Sequence, residues 1–86
     1  MEHIGIDLGS RESQMCIRSE AGEIVKEVRC RTAHIEGLLA SRAPARVIVE
    51  TCTEAFRIAG KVQRQGHDVR VVAATLVRSL GVGRVV

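Results

Sequence analysis

Two acidic residues, each at the end of a short apolar run, are the side chains of this sequence best suited to chemistry. Asp7 lies in the run IGIDLGS at positions 4–10, and Glu50 ends the run RVIVE at positions 46–50. Two neighbouring carboxylates repel each other unless a cation lies between them, and their oxygens suit Mg²⁺ or Mn²⁺. Asp7 and Glu50 are therefore candidate metal ligands for phosphodiester chemistry. The spacing alone favours a solvated strand end over a metal site. Ligands often bind at the edge of a sheet where the carboxyl ends of its strands lie, but they do not always occupy it.

The elements that must position these carboxylates follow from the hydrophobic pattern, which predicts five strands and three helices. The strands are expected at positions 4–8, 14–18, 24–28, 46–50 and 69–73. The helices are expected at positions 33–42 and 54–65, with a short last helix at 75–80. Pro44 stops the first helix and Gly66 the second. The uninterrupted apolar run at 46–50 is typical of a strand buried on both faces.

The order of these elements predicts a mixed α/β sheet. Three strands joined by short loops form an antiparallel meander, and strands reached through helices add in parallel. The familiar arrangement of this kind is the ribonuclease-H-like sheet, with the strand order 3-2-1-4-5. Its first and fourth strands are parallel neighbours, so Asp7 and Glu50 are expected side by side. The 86 residues have room for one domain, and we assign positions 1–86 to a single, partial ribonuclease-H-like domain.

The composition is typical of a soluble globular protein with an aliphatic core. Hydrophobic residues make up 45% and charged residues 27% of the chain, which argues against disorder. No apolar run approaches the roughly 20 residues that cross a bilayer, and the amino terminus lacks the features of a secretory signal. We therefore expect a cytoplasmic protein without a membrane partner. One phenylalanine is the only aromatic residue, so aliphatic side chains must fill the core.

The cysteines and histidines carry no recognisable site. The three cysteines are an odd number without Cys-x-x-Cys spacing, which favours buried thiols over disulfides or a zinc site. The histidines have no acid or nucleophile near them in the sequence. One of them, His67, directly follows Gly66 and is interpreted as a turn residue rather than a base.

The net charge of +3 permits nucleic-acid binding without arguing for it. The first 68 residues hold ten basic and ten acidic side chains, and the excess comes from Arg70, Arg78 and Arg84. One face of the second predicted helix carries Arg57, Lys61 and Arg64. A solvated helix face is a better explanation of that trio than contact with phosphates.

The runs at 4–10, 47–52 and 66–72, with the run LVRSLG at 76–81, resemble the amino-terminal part of the DEDD-type transposases of insertion sequences. That family is a RuvC-like branch of the ribonuclease-H-like nucleases, and the resemblance covers nearly the whole chain in order. It implies Mg²⁺-dependent (or Mn²⁺-dependent) cleavage and transfer of DNA strands, with DNA and a guide RNA as partners. Asp7 and Glu50 match the first two acidic ligands of the family.

The sequence departs from the family after the fifth strand. There the family has a third and a fourth aspartate, whereas no carboxylate follows Asp68 here. The resemblance therefore implies an amino-terminal fragment that lacks half of the metal site. We expect weak Mg²⁺ or Mn²⁺ binding and no robust turnover from this polypeptide alone, because affinity rises with the number of charged ligands.

Two other functions stay open. One is a non-catalytic α/β module for oligomerisation or binding. The other is part of an actin-like or sugar-kinase ATPase domain, whose phosphate-binding turn the run GSRES at 9–13 satisfies in part. We also expect a homo-oligomer, because apolar residues near the carboxyl terminus would be poorly covered in a monomer: Val71, Leu76, Val77, Leu80 and Val82.

Overall fold

The computed structural model describes residues 1–50, 52 and 54–73. The strands are β1 (His3–Asp7), β2 (Glu12–Arg18), β3 (Ile24–Arg31), β4 (Arg46–Glu50) and β5 (Asp68–Val72). A 3₁₀ turn (Thr32–His34) leads into helix α1 (Ile35–Ala40), and helix α2 (Ala55–Arg64) connects β4 to β5. The expected last helix at 75–80 lies outside the described residues.

The five strands form one sheet in the order β3-β2-β1-β4-β5, which confirms the predicted mixed α/β topology. β1 pairs with β2, and β2 with β3, in antiparallel orientation because short turns connect them. β1 pairs with β4, and β4 with β5, in parallel orientation because a helical crossover precedes β4 and another precedes β5. The sequence order of hairpins and crossovers thus places β1 at the centre.

The core lies between one face of the sheet and the two helices. It is aliphatic, as predicted, apart from the side chain of Met15. Residues at every second position of β1 and β4 meet the buried faces of α1 and α2, which accounts for most of the cluster: Ile4, Ile6, Val47, Val49, Ile35, Leu39, Ala55, Ile58 and Val62. The one aromatic residue, Phe56, is 69% exposed and contributes nothing to this core. No helix in the described ranges is long and apolar enough to cross a membrane.

The opposite face, which we call the open face, carries the alternate side chains of the strands. Both described helices contribute to the single core cluster on the other side. The prediction that the run at 46–50 is buried on both faces is therefore wrong, since Val47 and Val49 are buried whereas Ile48 is only half-buried. The same geometry leaves the side chains at the carboxyl end of β1 accessible.

Several boundaries differ from those predicted. β3 continues to Arg31, beyond the expected end at 28, because residues 29–31 pair with residues 12–14 of β2. The first helix is shorter than the expected 33–42: it opens as a 3₁₀ turn and ends at Ala40. Val71 is partly buried against the core, while the other apolar residues expected to drive self-association lie outside the described ranges.

The cysteines are free thiols, as predicted, although only one of them is fully buried. Cys16 is buried, and Cys30 and Cys52 are half-buried. Partial burial raises the pKa of the Cys30 thiol above its ordinary value. This environment is that of a structural thiol rather than of a reactive one.

His67 is a buried structural residue, which corrects its interpretation as a simple turn residue. Its Nδ1 accepts a hydrogen bond of 3.0 Å from the backbone N–H of Ala45. Its Nε2, which then carries the proton, donates one of 2.9 Å to the carbonyl oxygen of Leu39. Gly66 turns the chain before it with a φ of 100°. The imidazole thereby joins the end of α1, the entry to β4 and the entry to β5.

Replacing His67 by alanine tests this role. We expect His67→Ala to lower the free energy of unfolding by about 1–3 kcal/mol, because it leaves the buried N–H of Ala45 without a partner. His34→Ala is the matched control, since His34 is exposed and makes no side-chain capping bond; its effect should stay within about 0.5 kcal/mol. Urea unfolding measures both values, and equal effects would contradict the assigned role of His67.

Candidate functional site at the carboxyl ends of β1 and β4

The structure places Asp7 and Glu50 at neighbouring positions of adjacent parallel strands. The pairing of β1 with β4 runs from His3 opposite Arg46 to Ile6 opposite Val49, and Asp7 and Glu50 are the next residues of their strands. Adjacent strands lie about 4.8 Å apart. Ile6 and Val49 both belong to the core, so the alternation of side chains puts Asp7 and Glu50 together on the open face. This is the juxtaposition predicted from the sequence.

Two further polar residues extend the pair into a row across four strands. Gln14 of β2 lies opposite Asp7, and Arg29 of β3 lies opposite Gln14. The row therefore reads Arg29, Gln14, Asp7 and Glu50 from the edge of the sheet to β4. It combines two carboxylates, an amide and a guanidinium, which are chemical groups suited to binding a cation and an oxyanion.

Asp7 lines a shallow cavity of about 250 Å³. The cavity lies at the end of the β1–β2 hairpin and is lined by residues of β1, β2, their connection and β3: Asp7, Leu8, Gly9, Glu12, Ser13, Gln14 and Arg29. Asp7 itself is half-buried, so its carboxylate is accessible from solvent. Glu50 lies one strand away, outside this lining. The cavity therefore lies beside the carboxylate pair and contains one of its members.

A buried pair of hydroxyl groups fixes the connection between β1 and β2. Ser13 Oγ and Thr32 Oγ1 are 2.7 Å apart, and Thr32 Oγ1 donates a hydrogen bond of 2.6 Å to the carbonyl oxygen of Gly9. Because Thr32 uses its proton there, the hydroxyl of Ser13 donates to Thr32 and accepts a bond of 3.2 Å from the Gly9 N–H. This closed network holds the residues that follow Asp7 in a single conformation.

The residues present fit a hard divalent cation, but they form only part of a complete site. Among the described residues there is no group of three or more His, Cys, Asp or Glu side chains that could hold a metal. The two carboxylates supply oxygen ligands, which Mg²⁺ and Mn²⁺ prefer, and water or substrate must supply the rest.

The sequence singled out the two acids of the site and missed its other members. Gln14, Arg29 and the Ser13–Thr32 hydroxyl pair enter the site through the register of the β1–β2–β3 hairpins. That register depends on turn geometry, which the sequence pattern did not fix. Comparison with known proteins adds no assignment, since no protein-family model and no curated protein matches this chain.

The turn beside Asp7 requires glycine at position 9. A Cβ at Gly9 would overlap the carbonyl oxygen of Glu12, whereas a Cβ at Gly37, in helix α1, would meet no atom within 4 Å. We expect Gly9→Ala to destabilise the fold by about 1–3 kcal/mol, as overpacking does. Gly37→Ala should instead stabilise it by about 0.5–1 kcal/mol, since alanine is the better helix former. Thermal or urea unfolding measures both, and a neutral Gly9→Ala would contradict the described turn.

Proposed function

We propose that this chain is the amino-terminal, ribonuclease-H-like part of a DEDD-type transposase, in which Asp7 and Glu50 hold a divalent cation used to cleave and transfer DNA strands. The observation that carries the proposal is the position of Asp7 and Glu50, side by side on the open face of a 3-2-1-4-5 sheet. The family resemblance of the four sequence runs gives the pair its chemical interpretation.

The proposed chemistry divides between the metal and the side chains. When bound, Mg²⁺ or Mn²⁺ would activate a water or hydroxyl nucleophile and stabilise the leaving oxygen. Asp7 and Glu50 would hold the ion and offset its charge of two units. The amide of Gln14, opposite Asp7, and the guanidinium of Arg29 would orient the phosphate through hydrogen bonds. DNA, with a guide RNA in the intact family, would be the partner.

The actin-like or sugar-kinase alternative is less well supported. A phosphate-binding turn needs hydroxyl and backbone N–H groups that point at the ligand. Here the Ser13 hydroxyl is buried and bound to Thr32, and the Gly9 N–H is bound to Ser13. Two groups that such a turn would direct at the ligand, the Ser13 hydroxyl and the Gly9 N–H, are thus used within the fold. A non-catalytic module that keeps the sheet without metal chemistry is the remaining alternative, and metal binding separates it from the proposal.

Manganese titration followed by electron paramagnetic resonance tests the proposed site. We expect saturable Mn²⁺ binding with a dissociation constant of about 0.1–1 mM, as for sites with few carboxylates. Asp7→Asn and Glu50→Gln should each weaken it about tenfold, which corresponds to about 1.4 kcal/mol. Glu23→Gln is the control, because Glu23 is an exposed carboxylate in the β2–β3 turn.

The titration decides between the two functions. Binding that depends on both Asp7 and Glu50, and not on Glu23, supports the metal-dependent role. Binding unaffected by either substitution, or the lack of saturable binding below millimolar concentration, would contradict it and leave the non-catalytic module.

A further inference from the structure

Three arginines gather at the edge of the sheet beside the Asp7 cavity. Arg29 and Arg31 lie two positions apart on β3, so both point to the same face of the sheet. Arg11 lies next to them, because its carbonyl oxygen accepts a hydrogen bond of 2.8 Å from the backbone N–H of Thr32. All three side chains belong to exposed residues. We call this group the arginine edge.

Among the described residues, the side chains of the arginine edge are unpaired, unlike most of the other Lys and Arg side chains. Within the described ranges, its guanidinium groups have no ion-pair or hydrogen-bond partner, whereas five other Lys and Arg side chains pair with acids: Arg42, Arg46, Arg57, Lys61 and Arg70. Arg70 and Arg46 bind Asp68 from two sides and lower its pKa. On helix α2, Arg57 pairs with Glu54 and Lys61 pairs with Glu36 of α1, so two of the three basic residues of this helix face are neutralised.

The free charges surround two adjoining cavities. A cavity of about 590 Å³ is lined by Ser10, Arg11, Glu12, Arg31 and Ala33. Glu12 also lines the cavity that holds Asp7, and Arg29 lines that second cavity. Three arginines and two carboxylates, Glu12 and Asp7, therefore line the two cavities, which adjoin at Glu12. Such an arrangement attracts an anion and provides planar donors for its oxygens.

We propose that the arginine edge binds consecutive phosphates of a DNA strand. Arg29 and Arg31 are about 6.7 Å apart along β3, a separation comparable with that of consecutive phosphates on an extended strand. The identification of the ligand as DNA rests on the proposed function, whereas the attraction to phosphate follows from the free arginines and the cavities. The row from Arg29 through Gln14 to Asp7 leads a strand held at this edge toward the carboxylate pair.

Binding of a fluorescein-labelled single-stranded DNA 20-mer, followed by fluorescence anisotropy in EDTA, tests this proposal. The full chain is compared with the triple variant Arg11→Gln/Arg29→Gln/Arg31→Gln. The matched control is Arg57→Gln/Lys61→Gln/Arg64→Gln, which removes the same charge from helix α2. A third variant, Arg11→Lys/Arg29→Lys/Arg31→Lys, keeps the charge of the arginine edge. Circular dichroism and the urea midpoint establish that each variant is folded.

We expect the arginine-edge glutamine variant to bind at least about tenfold more weakly, since hydrogen bonds to charged groups are the strong ones. The slope of log affinity against log salt should fall by about 2, as for three phosphate contacts on a single strand. The α2 variant should lose less than threefold, and the lysine variant should retain most of the salt slope. Equal losses in the two glutamine variants would overturn the proposal, because they would reflect net charge alone.

Two further measurements distinguish a DNA strand from a free nucleotide as the source of the phosphate, and distinguish phosphate binding from metal binding. ATP without metal, at equal phosphate concentration, should compete weakly; strong arginine-dependent binding of ATP would overturn the assignment to a strand. Mn²⁺ binding should survive in the glutamine variant of the arginine edge. DNA binding in EDTA should survive in Asp7→Asn. An unsubstituted chain that binds DNA at the arginine edge but shows no saturable Mn²⁺ binding would therefore refute the proposed function and leave this inference standing.

Discussion

The parallel pairing of β1 with β4 is the constraint on which the rest of the structure depends. Ile4 and Ile6 face the helices together with Val47 and Val49, and all four are essentially inaccessible to solvent. Because side chains alternate along a strand, the register that buries these residues also sends Asp7 and Glu50 to the open face. A slip of one residue would expose the core and bury the carboxylates. The same interaction thus stabilises the fold and assembles the candidate site.

The sequence predicted the architecture well because periodicity encodes it directly. The run at 46–50 matches β4 in both bounds, and the glycine at 66 marks the end of the second helix region. The end of β3 was missed because Arg29, Cys30 and Arg31 pair with β2 over a length that local pattern does not reveal. His67 was missed for a related reason. Its partners, Ala45 and Leu39, are more than 20 residues away in sequence and meet it only in the folded chain.

The sequence did not predict which basic side chains form ion pairs in the folded chain. Equal numbers of acids and bases in the first 68 residues suggested no basic surface there. Among the residues that the structure describes, ion pairs neutralise Arg57 and Lys61 on α2, whereas Arg11, Arg29 and Arg31 at the sheet edge form none. A count of charges cannot separate these groups, because pairing depends on neighbours across elements. Unpaired basic residues of the described chain therefore lie beside Asp7, whereas α2 is the solvated, largely ion-paired face that the sequence favoured.

An engineered two-histidine metal site most directly tests the central claim, which is that positions 7 and 50 are adjacent. In the double variant Asp7→His/Glu50→His, neighbouring imidazoles on one face of the sheet would chelate Ni²⁺ in the folded state only. At a Ni²⁺ concentration about 100 times the dissociation constant, the free energy of unfolding should rise by about 2.7 kcal/mol. The two single variants should gain far less. Equal responses of the double and single variants to Ni²⁺ would contradict the described pairing of β1 with β4, and with it the candidate site.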